Sequence, residues 1–441
     1  MTKVRATRFL VLIFVMTVLG CDTKNDFDDA FKKYFIKYYG EDGKQQGVDM
    51  IVNDDGTMLL LGNTISPGDE ASRIFLVKVS EDGNILWQKK FGNKDEYATD
   101  IELTLNGDGS FIILSNILIE KGQGAVEDKH DIHLIILSSD GEPIKDSQLH
   151  FFGSQFGNAV TPVSTNYEPV PDKGYIVSGY TTEIKDNIKQ NGARSTDLIT
   201  FFITSDISDS LWTRRIASQL DGEAITVIES DTYDPAQIGN ASYKDRPFYL
   251  FGYSDALSVG DTRYENNFWS SSLNENGFNS FDSYSGDTSK IEIMSQTIKA
   301  NGSGFISVGT QTSATNQHSI ILVTSEAGGN GLRFSSQPVV VRESKNLEAV
   351  SITQSIAGGR YLVVSNETNL AGTTNIWLSK VGSDGEVFLS ASFGSATRSD
   401  LAGTVRELSD GKIVILGTVE LDSQNSKMTL IKLNANGEFL N

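Results

Sequence analysis

A short strand-like ending recurs along this chain of 441 residues and constrains its fold more than any other feature. It reads LWQKKFG at residues 86–92, LHFFG at 149–153 and LSASFG at 389–394. In each of these places it closes a unit of several predicted strands. A further copy, FIKYYG at 35–40, follows no predicted strand. This copy must therefore pair with a strand far away in the sequence.

The unit that these endings close contains four short predicted strands. In the first unit, the turns at residues 53–56 and 80–83 both end in Asp-Gly, which is typical of tight hairpins. The loop between the second and third strands is longer and polar. The four predicted strands are Val48–Val52, Thr57–Gly62, Ile74–Val79 and a strand ending at Phe91-Gly92.

The pattern repeats seven times, with about 57 residues in an average unit. The turns of units three to five are blurred, so six or eight units remain alternatives. In unit five the last strand is predicted as one segment, Gly331–Val341. Unit seven contains three predicted strands before the chain stops at Asn441, and we predict that residues 35–40 supply its fourth. The three strands are Leu401–Glu407, Lys412–Val419 and Lys427–Leu433.

Four antiparallel strands per unit are typical of β-propeller blades, and a blade shared between the chain ends closes the ring. The endings at 87–92 and 393–394, the Asp-Gly turns and the second strands at 59–62 and 413–417 resemble those of bacterial β-propeller lipoproteins in the WD40, kelch and quinoprotein-like group. The resemblance covers residues 34–441. It implies an all-β fold, a seven-bladed β-propeller of four-stranded antiparallel blades whose last blade is closed by an N-terminal strand. It implies no particular function.

The first 21 residues have the pattern of a targeting segment. Lys3, Arg5 and Arg8 precede an apolar run, Phe9–Leu19, which is too short to span a bilayer but suits a secretory signal. The run leads into Leu-Gly-Cys, ending at Cys21, and resembles the lipobox of bacterial lipoproteins. That resemblance implies cleavage before Cys21 and its acylation, so that lipid anchors the mature chain to a membrane without a spanning helix. We predict a signal peptide at 1–20, an acidic tether at 21–33 and the propeller at 34–441.

The predicted tether begins with an acidic stretch, Asp22–Asp29. An Asp directly after the lipidated Cys resembles an inner-membrane retention signal in some bacteria. Acids just downstream resemble a surface-export signal in others. The run of acids favours the outer membrane of the cell envelope, while a plain solvated linker, and either side of that membrane, remain open.

Charge and cysteine content exclude several classes of function. The formal net charge of −20 argues against binding nucleic acid and against docking on anionic lipid through a basic patch. Cys21 is the only cysteine, so the chain has no internal disulfide and no cysteine-based zinc site. The expected partners are a membrane, through the lipid at Cys21, and an unknown protein or glycan.

No catalytic, cofactor or metal motif stands out. The Asp-rich turns lack the alternating oxygens and the closing Glu of an EF-hand, so we interpret them as hairpins. His130 and His133 are expected on opposite faces of a strand, which disfavours a shared metal ion. A quinoprotein-like tryptophan recurs clearly only at Trp87 and Trp212, so no bound quinone is expected.

The loops of a propeller lie on two faces. Loops between strands 2 and 3, with the blade-to-blade connections, form what we call the 2–3 loop face, and the 1–2 and 3–4 turns form the turn face. Irregular loops on a rigid scaffold are frequent binding sites, so we hypothesise that the 2–3 loop face recognises the partner. Nearby aromatics, Tyr253, Tyr264 and Trp269, are interpreted as blade packing rather than sugar stacking. The long loops are Asn63–Ser72, Leu118–Lys129, Thr181–Thr196 and Ser254–Asn267.

The sequence favours a non-enzymatic binding or scaffold protein for a protein or glycan partner, held in the cell envelope. The alternative is a propeller-type glycan hydrolase or lyase that uses carboxylates in the central channel, although no spacing singles out a pair. A third hypothesis, an assembly-factor role in the outer membrane, depends on analogy alone.

Overall fold

The computed structural model of the chain describes residues 33–68, 71–122, 128–164, 173–182, 196–216, 222–231, 246–255, 266–287, 289–300, 304–328, 331–344 and 346–439. Within these ranges, strands β1 to β29 form seven antiparallel sheets. No helix in the same ranges has the length and apolarity needed to cross a membrane. Cys21, the predicted signal peptide and most of the predicted tether lie outside the described residues.

Blades 1 to 4 follow the predicted order, with four consecutive strands in each sheet. Blade 1 contains β2 (Lys44–Val52), β3 (Met58–Ile65), β4 (Arg73–Val79) and β5 (Ile85–Phe91), and blade 2 contains β6 (Glu96–Leu103), β7 (Phe111–Glu120), β8 (Lys129–Leu137) and β9 (Pro143–Leu149). Blade 3 contains β10 (Gln155–Val163), β11 (Gly174–Thr181), β12 (Asp197–Thr204) and β13 (Ser210–Ile216), and blade 4 contains β14 (Gly222–Glu229), β15 (Phe248–Ser254), β16 (Asn267–Leu273) and β17 (Asn279–Ser285).

Blades 5 to 7 complete the ring. Blade 5 contains β18 (Ile291–Lys299), β19 (Gly304–Thr312), β20 (His318–Gly328), β21 (Gly331–Phe334) and β22 (Val339–Ser344). Blade 6 contains β23 (Leu347–Gln354), β24 (Arg360–Thr368), β25 (Thr374–Gly382) and β26 (Val387–Phe393). Blade 7 contains β27 (Asp400–Glu407), β28 (Ile413–Glu420), β29 (Ser426–Leu433) and β1 (Phe35–Tyr39).

The seven-bladed ring closed by the N-terminal strand is confirmed. Strand β1 pairs antiparallel with β29, with Phe35 opposite Lys432 and Tyr39 opposite Met428. One strand prediction was wrong: the fourth strand of blade 5 is not continuous over Gly331–Val341. It is broken into β21 and β22, which both pair with β20. Because of the break, the long strand β20 pairs along one edge with two short strands, β21 and β22, instead of one.

The hydrophobic core lies between neighbouring blades. Strand β3 is buried along almost its whole length, because both faces of its blade are covered. Leu60 packs in the cluster shared with blade 7, whereas Leu59 and Leu61 pack in the cluster shared with blade 2. The outer strand β5 alternates between half-buried and exposed residues. This difference explains why second strands are continuously apolar and fourth strands are mixed.

The glycine of the recurring ending makes room for a buried polar side chain. Gly92 has φ of 81°, and a Cβ there would stand 2.5 Å from Oε2 of Glu96, the first residue of β6. That carboxylate accepts a hydrogen bond from the N–H of Asn93 at 2.6 Å and so closes the blade-to-blade turn. Three further endings bring a glycine against the buried acid or amide at or near the start of the next inner strand, namely Gly40 with Gln45, Gly286 with Glu292 and Gly394 with Asp400.

The recurring tryptophans pack on the next blade. A Cβ on Gly141 would stand 2.7 Å from Cη2 of Trp87, and a Cβ on Gly277 would stand 2.6 Å from Cε3 of Trp212. Trp212 Nε1 also donates to the carbonyl oxygen of Glu275 at 2.9 Å. Each glycine belongs to a 3–4 turn, so the 3–4 turn of one blade packs against the outer strand of the blade before it.

Candidate functional site

A cavity of about 330 Å³ opens on the 2–3 loop face where blades 7, 1 and 2 meet. Its wall includes Gln45 near the start of β2, Ser72 just before β4 and Tyr97 in β6. Tyr97 is 42% exposed. An apolar ring surface beside amide and hydroxyl groups is a combination that suits small polar ligands.

Two buried side chains of this cavity have unsatisfied polar atoms. Gln45 is 1% exposed and Ser72 is 0% exposed. The Nε2 of Gln45 donates to Oγ1 of Thr64 at 3.4 Å, but its Oε1 has no hydrogen-bond partner among the described residues. Ser72 Oγ has none in the same part of the chain. Since an unmet buried polar group costs about 1–3 kcal/mol, these atoms favour a buried water behind the cavity wall rather than direct contact with a ligand.

The two ends of the propeller build one side of this cavity. The N–H of Gly43 donates to Oδ1 of Asn425 at 3.0 Å, and the N–H of Ser426 donates to the carbonyl oxygen of Gly43 at 3.1 Å. Gln45 N–H donates to Oγ of Ser426 at 3.1 Å. Because these bonds join the connector after β1 to the loop before β29, the cavity wall is held by ring closure.

Charges around the cavity have both signs. Lys44 supplies a cation, whereas Glu420 and Asp422 supply carboxylates. Glu420 accepts a hydrogen bond from the N–H of Ser399 at 3.0 Å, and hydrogen bonds from Asn425 lower the pKa of Asp422. This mixture does not favour a strongly charged ligand.

Three rings form a row on the 2–3 loop face of blades 2 and 3. We call His130, Phe156 and Tyr180 the aromatic row. The ring centroids of His130 and Phe156 are 4.8 Å apart, and those of Phe156 and Tyr180 are 4.9 Å apart with an interplanar angle of 18°. All three side chains are half-buried. Burial lowers the pKa of His130, so its imidazole is neutral at pH 7.

A carboxyl group lies at the end of the aromatic row. Burial raises the pKa of Glu223, although hydrogen bonds from Tyr253 and Asn158 oppose the shift. Asn158 Nδ2 lies 3.5 Å from Oε2 of Glu223. Burial and the Glu223 charge raise the pKa of Tyr180 to about 12. These side chains come from inner and second strands of blades 3 and 4.

The central channel contains a second group of carboxylates. Arg406 Nη2 donates to Oδ1 of Asp49 at 2.8 Å, and Asp100 Oδ2 accepts from the N–H of Val160 at 2.7 Å. Burial, the charges of Asp49 and Glu102, and a hydrogen bond with Asp49 raise the pKa of Asp100. Burial and the Asp49 charge raise the pKa of Glu102 to about 7.

This group borders a cavity of about 640 Å³ on the turn face, lined in part by Glu102, Arg406 and Glu407. Glu102 is accessible from that side. In the described ranges, no set of three or more His, Cys, Asp or Glu side chains is placed to hold a metal ion.

The structure separates the residues that the sequence placed together. His130 belongs to the aromatic row, whereas His133 is buried with its Nδ1 at 2.7 Å from Oε1 of Glu96 and its Nε2 at 3.4 Å from Oδ2 of Asp146. Trp269 lies in the core, as interpreted. Tyr253, also interpreted as packing, hydrogen-bonds to Glu223 at the end of the aromatic row. Tyr264 lies outside the described residues, as do residues 123–127, 183–195 and 256–265 of the long loops.

Sequence reasoning missed Gln45, Ser72, Tyr97, Phe156 and Glu223. Each reaches its site through contacts between blades, and no local motif marks it. The recurring polar residue at the start of the inner strands was a usable signal for Gln45, because Glu96 and Gln155 occupy the same position.

Comparison with known proteins identifies a fold and no family. No protein-family model matches the chain, and no curated protein matches its sequence. A polysaccharide lyase of family PL25, an ulvan lyase bound to a GlcA–Rha3S unit, is similar with a TM-score of 0.50 and 9% identity over 92% of this chain and 97% of that one. At this identity the likeness shows the propeller fold alone.

Two further structures are similar at lower scores. A protein of unknown function from Dyadobacter fermentans has a TM-score of 0.47 and 9% identity, over 90% of this chain and 97% of its own. Prolyl oligopeptidase B from Galerina marginata has a TM-score of 0.42 and 10% identity over 92% of this chain. This chain spans about half, 52%, of that peptidase.

Proposed function

We propose that this protein is a lipid-anchored cell-envelope propeller that binds a glycan on its 2–3 loop face. The observation that carries the proposal is the 330 Å³ cavity, whose wall brings the exposed ring of Tyr97 together with the exposed side chains of Gln46 and Ser423. Sugar hydroxyls are able to hydrogen-bond to the amide of Gln46 and the hydroxyl of Ser423, while Tyr97 offers a ring surface. Binding of this kind needs no catalytic group.

The size of the cavity supports a glycan rather than a protein partner. A volume of about 330 Å³ lies in the range of 300–1,000 Å³ that is usual for small-molecule sites. Stable protein interfaces bury about 800 Å² per partner and have an apolar centre. A concave site lined by amide and hydroxyl groups fits one or two sugar rings better than a protein surface.

The point where the chain enters the propeller supports anchoring through Cys21. Phe35, at the start of β1, packs on Gly83 in a 3–4 turn and therefore lies on the turn face. The 13 residues between Cys21 and Phe35 span at most about 45 Å when extended. An anchor that joins the turn face directs the opposite, 2–3 loop face away from the membrane, where an envelope glycan is accessible.

The alternative is a hydrolase or lyase that uses the channel carboxylates. Glu102 favours it, because a carboxyl with a pKa of about 7 suits a general acid or base. Asp49 and Asp100 oppose it, because they are hydrogen-bonded to each other, whereas hydrolase carboxyl pairs stand about 5–9.5 Å apart. The balance favours binding without turnover.

Binding and turnover are separable in one experiment. Full-length protein in mild detergent is applied to arrays of polysaccharides and envelope proteins, and the same samples are assayed for new reducing ends and unsaturated products. We expect glycan binding without cleavage. Tyr97→Ala should weaken binding, and Tyr38→Ala, a matched change at a tyrosine 54% exposed on the outer edge of blade 7, should not.

The outcomes distinguish the hypotheses. Cleavage that Glu102→Gln abolishes would establish the enzyme instead. Binding to arrayed proteins alone would replace the glycan with a protein partner. Cys21→Ser in a bacterial host should release the protein from the membrane fraction, and a variant that remains there would overturn the lipid anchor.

A further inference from the structure

We infer that the aromatic row and Glu223 form a second subsite, so that the ligand is an extended, neutral polysaccharide that crosses the 2–3 loop face. This inference depends on the proposed glycan binding and specifies its substrate class. A ligand confined to the cavity would leave the row without a role. A polysaccharide that continues from the cavity past blade 2 would contact both the cavity and the aromatic row.

The geometry of the aromatic row suits a sugar chain. Phe156 and Tyr180 are directly opposite each other in β10 and β11, and their rings are nearly parallel. His130 extends the row into blade 2 through its contact with Phe156. Successive rings about 5 Å apart present one continuous apolar edge, against which the C–H groups of a sugar chain are able to make van der Waals contact.

Polar groups at the end of the aromatic row are able to form hydrogen bonds with the hydroxyl groups of a sugar. Glu223 and Tyr253 share a hydrogen bond, and Asn158 lies beside them. A carboxyl, a phenol and an amide together offer both donors and acceptors. The half-buried imidazole of His130 adds a neutral polar group at the other end of the row.

The charges along this path favour a neutral chain over an anionic one. His130 is neutral at pH 7 because burial lowers its pKa. Glu223 is a carboxyl group, so neither side chain supplies a positive charge to an anionic ligand. At the cavity, the cations Lys44 and Arg398 are offset by Glu420 and Asp422, so no net positive charge favours an anionic ligand. The whole chain carries a net charge of −20, which repels uronate and sulfated polymers.

Blade 2 joins the two subsites around the ring. Its inner strand β6 places Tyr97 at the cavity, and its third strand β8 places His130 in the aromatic row. Blade 1 lies on one side of this strand pair and blade 3 on the other. A bound chain therefore runs from the cavity at blades 7 and 1, over blade 2, to Glu223 in blade 4.

The test uses the full-length protein in mild detergent and named polymers. Laminarin, xylan and galactomannan represent neutral chains, and alginate and polygalacturonate represent anionic ones. The polymer that binds best is cut to fragments of one to eight sugars, and their affinities are measured by calorimetry. We expect neutral polymers to bind, and affinity to rise up to at least four sugars.

Variants separate the subsites. Tyr180→Leu should weaken binding of the eight-sugar fragment by roughly 2–10-fold, which corresponds to the worth of one aromatic contact, and leave the two-sugar fragment unchanged. Tyr97→Ala should weaken both fragments. Phe278→Leu, at a phenylalanine 59% exposed on the turn face, is the matched control that should change neither. His130→Leu gives a second, independent test, should Tyr180→Leu lower the melting temperature.

Each failure has a distinct meaning. If none of the polymers binds, the proposed function falls and this inference falls with it. If a neutral polymer binds but Tyr180→Leu and His130→Leu both keep wild-type affinity for long fragments, only the second subsite is wrong. Preference for alginate or polygalacturonate would overturn the neutral class.

Discussion

The ring of Phe35 lies so close to Gly83 that a Cβ on the glycine would stand 2.7 Å from Cζ of the phenylalanine. Phe35 belongs to the N-terminal strand, and Gly83 belongs to the 3–4 turn of blade 1. Tyr39 adds a hydrogen bond from its hydroxyl to the carbonyl oxygen of Gly83 at 2.9 Å. Strand β1 is therefore held on two sides, by pairing with β29 within blade 7 and by packing on blade 1.

Substituting Gly83 tests this packing. Gly83→Ala should destabilise the fold by about 2–5 kcal/mol, because it combines a positive φ of 72° with a clash against Phe35. Gly107→Ala is the matched control, since Gly107 has φ of 70° and a Cβ added there would meet no atom of the described residues within 4 Å, so it should cost only about 1–2 kcal/mol. Urea denaturation measures both, and equal losses would show that the contact with Phe35 contributes nothing.

Deleting the N-terminal strand should be far more damaging than shortening the predicted tether. Loss of residues 34–40 removes the pairing of β1 with β29 and the buried side chains of Phe35 and Tyr39, at a cost of at least about 5 kcal/mol. Loss of residues 22–29 removes no described contact. Thermal melting of the two deletions decides the matter, and equal melting temperatures would mean that the ring closes in another way.

Stability should fall as the pH rises past the titration of Glu102. Its pKa is raised in the folded chain to about 7 from the usual 4.5, so the folded state binds more protons than the unfolded state between these values. The contribution of Glu102 to the free energy of unfolding therefore decreases from about pH 4.5 to about pH 7. Glu102→Gln should remove this contribution and its pH dependence. Chemical denaturation of both proteins at several pH values checks it. A difference between them that stays constant with pH would contradict the raised pKa.

The carboxylate of Glu96 should be a strong local contributor to stability. Burial alone would raise the pKa of Glu96, but hydrogen bonds from His133, Ser115 and Asn93 hold it below its usual value. Glu96→Gln replaces an acceptor-only group with a donor that faces other donors, and should cost about 1–3 kcal/mol. Glu142→Gln is the matched control, because Glu142 is 73% exposed and its ion pair with Lys89 should contribute at most about 1 kcal/mol. Similar losses in the two variants would contradict the role of Glu96.

Strand positions were predictable because they depend on local physics, whereas the blurred turns of units three to five left the count at six to eight until the structure showed seven. The Leu-rich run at 59–61 predicts a strand covered on both faces, and the turn at 80–83 predicts a hairpin whose N–H of Gly83 donates to the carbonyl oxygen of Ser80 at 2.8 Å. The broken fourth strand of blade 5 was not predictable in this way. Its two pieces are defined by their partners in β20, not by their own composition.

By itself, the sequence determined that this protein is built from repeated antiparallel units, and it favoured seven of them with the strand at 35–40 completing the last. Three sequence signals carry that information: periodic hydrophobicity, Asp-Gly turns and the unpaired strand at 35–40. Each is visible within a short stretch of the chain. Only the tertiary structure decided that Tyr180 approaches Glu223, and that Gln45, Ser72 and Tyr97 share a cavity. These contacts join residues from different blades, and their distances depend on how the blades pack around the channel.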